Sequence, residues 1–159
     1  MTARTYSNGY QPTLDEFKAH IRLTTSDMDA DLTIKLKAAI RSAEHYIGQI
    51  IALSVFVYTD DFAKTVYLQG PVISVSGVKV DGVTLSSDKY SLKGEVLTID
   101  AEGETLEVTY TAGMAVVDDD IKAAILLHAA ALFNNPIDSV ETLPKASSRL
   151  LDPYRTWGV

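Results

Sequence analysis

The residues of this chain best suited by type and spacing to do chemistry are acidic. Asp27, Asp29 and Asp31 alternate along the chain, and Asp118, Asp119 and Asp120 run consecutively. The alternating set copies the opening oxygen ligands of a calcium loop. Such a loop also needs a glycine at its sixth position and a bidentate glutamate at its twelfth, where this chain has Leu32 and Ala38. On a helix Asp29 points away from Asp27 and Asp31, and three consecutive carboxylates fan over about 200°. Neither set can converge on one ion. Both read instead as acidic first turns facing the positive end of a helix dipole, so the expectation is no metal site.

The three histidines, His20, His45 and His128, stand apart, without an HExxH or HxH spacing. His128 falls in an apolar helix, where a hydrogen-bonded core or subunit-contact histidine is the expected role. GxSxG, GxGxxG and GxxxxGK[ST] are all missing, and there is no cysteine. That excludes disulfides, thiolate-bound metals and a cysteine nucleophile. With no nucleophile, base and orienting group in sight, the expectation is a protein that is not an enzyme, with no catalytic residue and no cofactor.

The elements that would position these residues come in three stretches. Thr13-Leu14-Asp15-Glu16 is a capping box, with Leu14, Phe17 and Ile21 at helical spacing behind it. This predicts a helix over 13–22. Ser26 with Asp29 repeats the start signal, and apolar residues from Met28 to Ile50 step by three and four, predicting a helix over 26–50. From 54 to 113 the period changes to two, with Val, Tyr, Thr and Ile dominant and turns every eight to twelve residues. An inserted antiparallel meander is expected there. Asp81-Gly82 is its strongest hairpin signal, a bulge at Gly77 explains the change of phase between Val75 and Val78, and Tyr90 and Leu92 should pair with Leu97 and Ile99. A helix follows at 118–134, apolar on both stripes: Ile121, Ala124, Ile125, His128, Ala131 and Leu132 on one side, Leu126, Leu127, Ala130 and Phe133 on the other. A short helix is expected at 143–151. The fold class is therefore α+β, a small helical bundle carrying a sheet.

Size and charge narrow the function. The 159 residues suit a single domain over 1–159, with 1–12 read as a flexible arm and 152–159 as a docking tail. Fourteen Lys and Arg against 21 Asp and Glu leave a net charge of −7. Such a surface repels phosphate backbones and anionic lipid, so neither sequence-specific nucleic acid nor membrane is an expected partner. The longest nearly apolar run, Ala123 to Phe133, falls short of the ~20 residues of a membrane-spanning helix. The first residues lack an apolar signal region, and no leader is expected. Tyr154, Arg155 and Trp157, by contrast, are residue types enriched at interface centres, and they stand together in the tail.

Several segments together resemble the phage head-tail connector (adaptor) family, whose members form the ring below the portal of long-tailed phages. The opening is Leu14 to Leu23, followed by the acidic Asp27 to Asp31 and a long helix. Gly70-Pro71-Val72-Ile73-Ser74-Val75, Tyr110-Thr111-Ala112-Gly113, the Ala-rich Ile121 to Phe133 and Leu143-Pro144 through Leu150-Leu151-Asp152-Pro153-Tyr154-Arg155 follow in the family's order. Relatives often carry a Tyr and an Arg at the end of the Ala-rich helix; here Phe133, Asn134 and Asn135 stand there.

The resemblance implies a structural virion protein, encoded by a phage or prophage, that forms a homo-oligomeric ring matching the twelvefold portal. Its partners would be the portal protein, a tail or stopper protein and further copies of itself, with DNA passing through the lumen. It implies a location in the virion, and in the bacterial host cytoplasm during assembly. The expected portal or subunit interface is Leu143, Pro144, Arg149, Tyr154, Arg155 and Trp157. Two other readings remain open on sequence: a monomeric tail-completion or stopper module, and a small metal-dependent hydrolase using the Asp clusters.

Overall fold

Thr13 starts the first helix, α1 (Leu14–His20), as its pattern requires. Its Oγ1 accepts from the Glu16 amide at 3.2 Å while Glu16 Oε2 accepts from the Thr13 amide at 2.7 Å. Such a cap contributes about 1 kcal/mol. That backbone bond, first among several causes, holds the Glu16 carboxyl below the usual range. A computed structural model describes residues 1–7, 10–135 and 143–156. The chain divides into two compact units, a β unit of Met1–Asn8 with Ala52–Ala115, and a helical unit of Gly9–Ile51 with Val116–Val159.

The helical unit contains α1, α2 (Asp29–Ile47), α3 (Asp119–Asn134) and α4 (Lys145–Leu151), followed by a 3-10 turn at Asp152–Tyr154. Its core is Phe17, Leu32, Leu36, Ile40, Ile47, Ile121, Ile125 and Leu151, all fully buried or nearly so. Ion pairs from Lys18 to Asp29 (2.8 Å) and Lys122 to Glu16 (3.6 Å) tie α1 to its neighbours. The second helix starts later than the Ser26 signal suggests, behind Met28, with no side-chain cap. It also stops short of residue 50. Gly48, at φ +75°, takes the left-handed conformation that ends a helix, and donates to Glu44 O at 2.9 Å. The buried Glu44 then accepts from the Ile51 amide at 2.9 Å, fixing the chain's exit.

The β unit holds two sheets. Strands β1 (Thr2–Tyr6), β2 (Ser54–Asp61), β8 (Thr105–Ala112), β4 (Val72–Val80) and β5 (Val83–Thr84) form one, in the order β1-β2-β8-β4-β5. Strands β3 (Thr65–Tyr67), β7 (Val96–Ile99) and β6 (Tyr90–Lys93) form the other, in that order. All pairs are antiparallel. The strand β2 runs through Asp61 against Thr105 of β8, and Val66 pairs with Leu97. The hairpins read from sequence are present. Val80 faces Val83 across Asp81 and Gly82, both at positive φ, and Tyr90 and Leu92 face Ile99 and Leu97. The register of β4 shifts between Val75 and Gly77 and again between Val72 and Ser74.

Residues 2–6, expected within a flexible arm, form an edge strand. Arg4 fastens it: Nε donates to Ser54 Oγ at 3.0 Å, Nη2 to Ala52 O at 3.1 Å, and the guanidinium lies 4.3 Å from the Tyr6 ring centre and 5.3 Å from that of Phe56. Phe56 in turn stacks on Tyr110.

Candidate functional site

The expected interface residues fall at two places on the helical unit. Leu143 and Pro144 lie half-buried at the start of α4, where Pro144 is the N-cap and its carbonyl accepts from the Ser148 amide at 3.0 Å. Ser147, fully buried, donates to Ala124 O at 2.9 Å and so pins α4 onto α3. That leaves Arg149 exposed on the far side of the short helix. Trp157 lies outside the described residues.

Tyr154 and Arg155 are brought together on the C-terminal end of α2. Tyr46 donates to Asp152 Oδ1 at 2.6 Å, and the Arg155 guanidinium stands 4.9 Å from the Tyr46 ring centre. Gln49 Nε2 donates to Tyr154 O at 3.2 Å. Thr156 donates twice to Ile47 O, from its amide and its hydroxyl, both at 2.9 Å. A helix end leaves its last carbonyls without intrahelical partners, and here the tail supplies two donors to one of them. Desolvation, then a hydrogen bond to Asp118, pushes the Tyr154 phenol up; the bond to Asp152 does the same, first among causes, for Tyr46. Tyr46, Gln49, Asp152 and Thr156 escape a reading by spacing because about a hundred residues separate the partners.

The acidic sets behave as helix starts. Asp29 and Asp31 lie in the first turn of α2, engaged by Lys18 and Lys35, and Asp119 and Asp120 in the first turn of α3. Among the described residues no three acidic or histidine side chains come together as a metal site, and no helix is long and apolar enough to cross a membrane. His128 is buried, as expected, but its Nδ1 has no hydrogen-bond partner, and burial lowers its pKa. The imidazole is therefore neutral near pH 7 and packs as a core group.

The two stripes of α3 differ. Ile121, Ala124, Ile125, His128 and Ala129 are buried, whereas Leu126, Leu127, Ala130 and Phe133 are only half-buried and Ala123 is exposed. Ala131 and Leu132, assigned by period to the inner stripe, are half-buried as well.

Residues 11–155 match the family model described as phage gp6-like head-tail connector protein. No curated protein sequence matches the chain. Among solved structures, the fold resembles a chain in the neck of an empty GTA particle computed with C6 symmetry, at 22% identity and a TM-score of 0.76, covering 100% of this chain and 97% of that one. A chain in the virion of a native gene transfer agent (GTA) particle gives 21% identity and a TM-score of 0.73, with 98% and 96% covered. One in the neck of a native GTA particle computed with C12 symmetry gives 18%, 0.74, 99% and 97%.

Proposed function

We propose, for a chain that belongs to the phage gp6-like head-tail connector family, that it works as one subunit of a ring between portal and tail, through which DNA passes. The match over residues 11–155, nearly the whole chain, carries this reading. It makes the protein a structural virion connector. The ring, matched to a twelvefold portal, is supported by the fold shared with chains of C6 and C12 necks.

In this reading residues 1–159 act as one connector domain, assembled in the bacterial cytoplasm and retained in the virion. Leu143, Pro144, Arg149, Tyr154, Arg155 and Trp157 contact the portal or a neighbouring subunit, with 152–159 as the docking tail. The charge supports passage of DNA. A net −7 repeated around a ring makes an anionic collar, and such a wall releases a sliding duplex because it supplies few cations to displace counterions.

The test is electron microscopy of the protein mixed with its cognate portal. Stacked rings with one copy per portal subunit are expected. A single copy per portal, or a protein that stays monomeric beside it, would favour the stopper reading instead.

A further inference from the structure

The outer faces of α2 and α3 are complementary to each other. On α2 the positions turned away from the core are Ala30, Asp31, Ile34, Ala38, Arg41 and His45, all exposed, with Ile34 at 68%. On α3 they are Asp119, Asp120, Ala123, Leu126, Leu127, Ala130 and Phe133. Between its ends each face carries small and apolar residues; α2 has Asp31, already paired with Lys35, at its N-terminal end and the basic Arg41 toward its C-terminal end, and α3 is acidic at its N-terminal end. Among the described residues Arg41, Asp119 and Asp120 form no ion pair.

Laid antiparallel, the two faces keep step. Setting Arg41 against Asp119 and Asp120 places Ala38 opposite Ala123, Ile34 opposite Leu126 and Leu127, and Ala30 opposite Ala130. Both stretches run twelve residues, eleven steps of 1.5 Å or about 16 Å. Alanines on both sides allow axes to approach to about 8–10 Å, and the single large apolar residue of this α2 face, Ile34, meets the two leucines. Within one molecule the inner faces of these helices are already buried, so the outer faces can meet only between copies.

The geometry points to a second copy of this chain as the occupant: the outer face of α2 on one subunit docks antiparallel on the outer face of α3 of the next. This rests on the ring reading above and says which faces build the ring. The contact joins two different surfaces, so it repeats head to tail and closes by rotation, as a cyclic assembly requires. The outer stripe of α3, only half-buried within one molecule, is explained by it.

The absence of cysteine allows a clean test. Ala38→Cys and Ala123→Cys are made separately in the full chain, and circular dichroism verifies each fold. The proteins are treated with a short bis-maleimide alone and as an equimolar mixture, free and with the portal, while mass photometry follows assembly. The expected result is a covalent dimer in the mixture only, and a ladder for the chain carrying both cysteines. Arg41→Glu should abolish the mixed product, and adding Asp119→Lys with Asp120→Lys should restore it. Rings that form without the mixed product, or in which the Ala38→Cys protein links to itself, overturn this contact and leave the ring reading intact. A monomer under every condition, portal included, overturns both.

Discussion

The start of the helical unit and the five-stranded sheet of the β unit are held by bonds of different reach. Around α1 the decisive contacts are local: the Thr13–Glu16 box spans three residues and the Lys18–Asp29 pair eleven. In the β unit the Arg4 clasp spans about fifty residues and β2 meets β8 at a similar separation. Local contacts cost little chain entropy to form, whereas distant ones require the intervening loop to be closed first. A single change should therefore do more harm where many distant pairings depend on one tight passage.

Gly113 is such a passage, and its replacement should give the largest effect. Its φ is +133°, and an added Cβ would lie 2.7 Å from Leu53 Cα and 2.8 Å from Leu53 N, both backbone atoms. Gly113→Ala is expected to cost about 3 kcal/mol or more, because strain and clash add. Denaturant melts measure it. A loss under about 1 kcal/mol would mean that the β unit bends as easily as a helix end frays.

The tail of the helical unit should give an intermediate effect. From sequence alone, removing 152–159 leaves folding untouched and abolishes docking. The bonds from Thr156 to Ile47, Tyr46 to Asp152 and Gln49 to Tyr154 change that expectation. The truncated chain should still melt cooperatively but lose about 1–3 kcal/mol, the sum expected of a few partly exposed hydrogen bonds. Hydrogen exchange should quicken at the last turn of α2 and leave the sheets unchanged.

The smallest effect is expected at Asp81, in the exposed hairpin turn. Its Oδ1 accepts from the amides of Thr105 (2.8 Å) and Glu104 (3.0 Å) and from the Thr105 hydroxyl (3.1 Å), and these bonds, the Thr105 amide first, lower its pKa. A carboxyl whose folded pKa is depressed contributes stability that is present above its unfolded value, about 3.9, and is lost as pH falls through the folded value. Asn tolerates the positive φ of this position. Asp81→Asn should thus be slightly less stable than the parent at pH 7 and equal to it in strong acid. A difference that persists below pH 2 would assign the loss to the turn rather than the charge.

The same contrast of reach decides what could be read from the sequence. The α1 cap, the inner stripe of α3 from Ile121 to His128, the Asp81-Gly82 hairpin and the pairing of Tyr90 and Leu92 with Ile99 and Leu97 follow from residues within a few positions of one another, and each was legible. The end of α2 was legible in part: Gly48 marks it, but Ile50 and Ile51 continue the apolar period and obscure the stop. Strand order was hidden, because alternation shows that β2 has an inner face without naming β8 as its partner. Residues 2–6 were hidden for the same reason. Thr2, Arg4 and Thr5 have no apolar period, and only Arg4's distant acceptors make them a strand. At the candidate site Tyr154 and Arg155 stand out in the sequence by type, whereas the donors and acceptors on α2 that hold the tail do not.

The two units interleave along the chain, with residues 9–51 of the helical unit preceding the bulk of the β unit and residues 116–159 following it. This has a consequence for biosynthesis. The apolar face of α2, with Leu32, Leu36, Ile40 and Ile47, finds its cover in α3, which is translated only after the intervening strands. The gap is roughly 70 residues, or about 4–14 s at elongation rates of about 5–20 residues per second. During that interval the nascent α1–α2 pair waits uncovered while the strands from β2 to β8 emerge and pair. The sheets are thus complete first, and the bundle closes afterwards, around helices that leave the ribosome behind the strands.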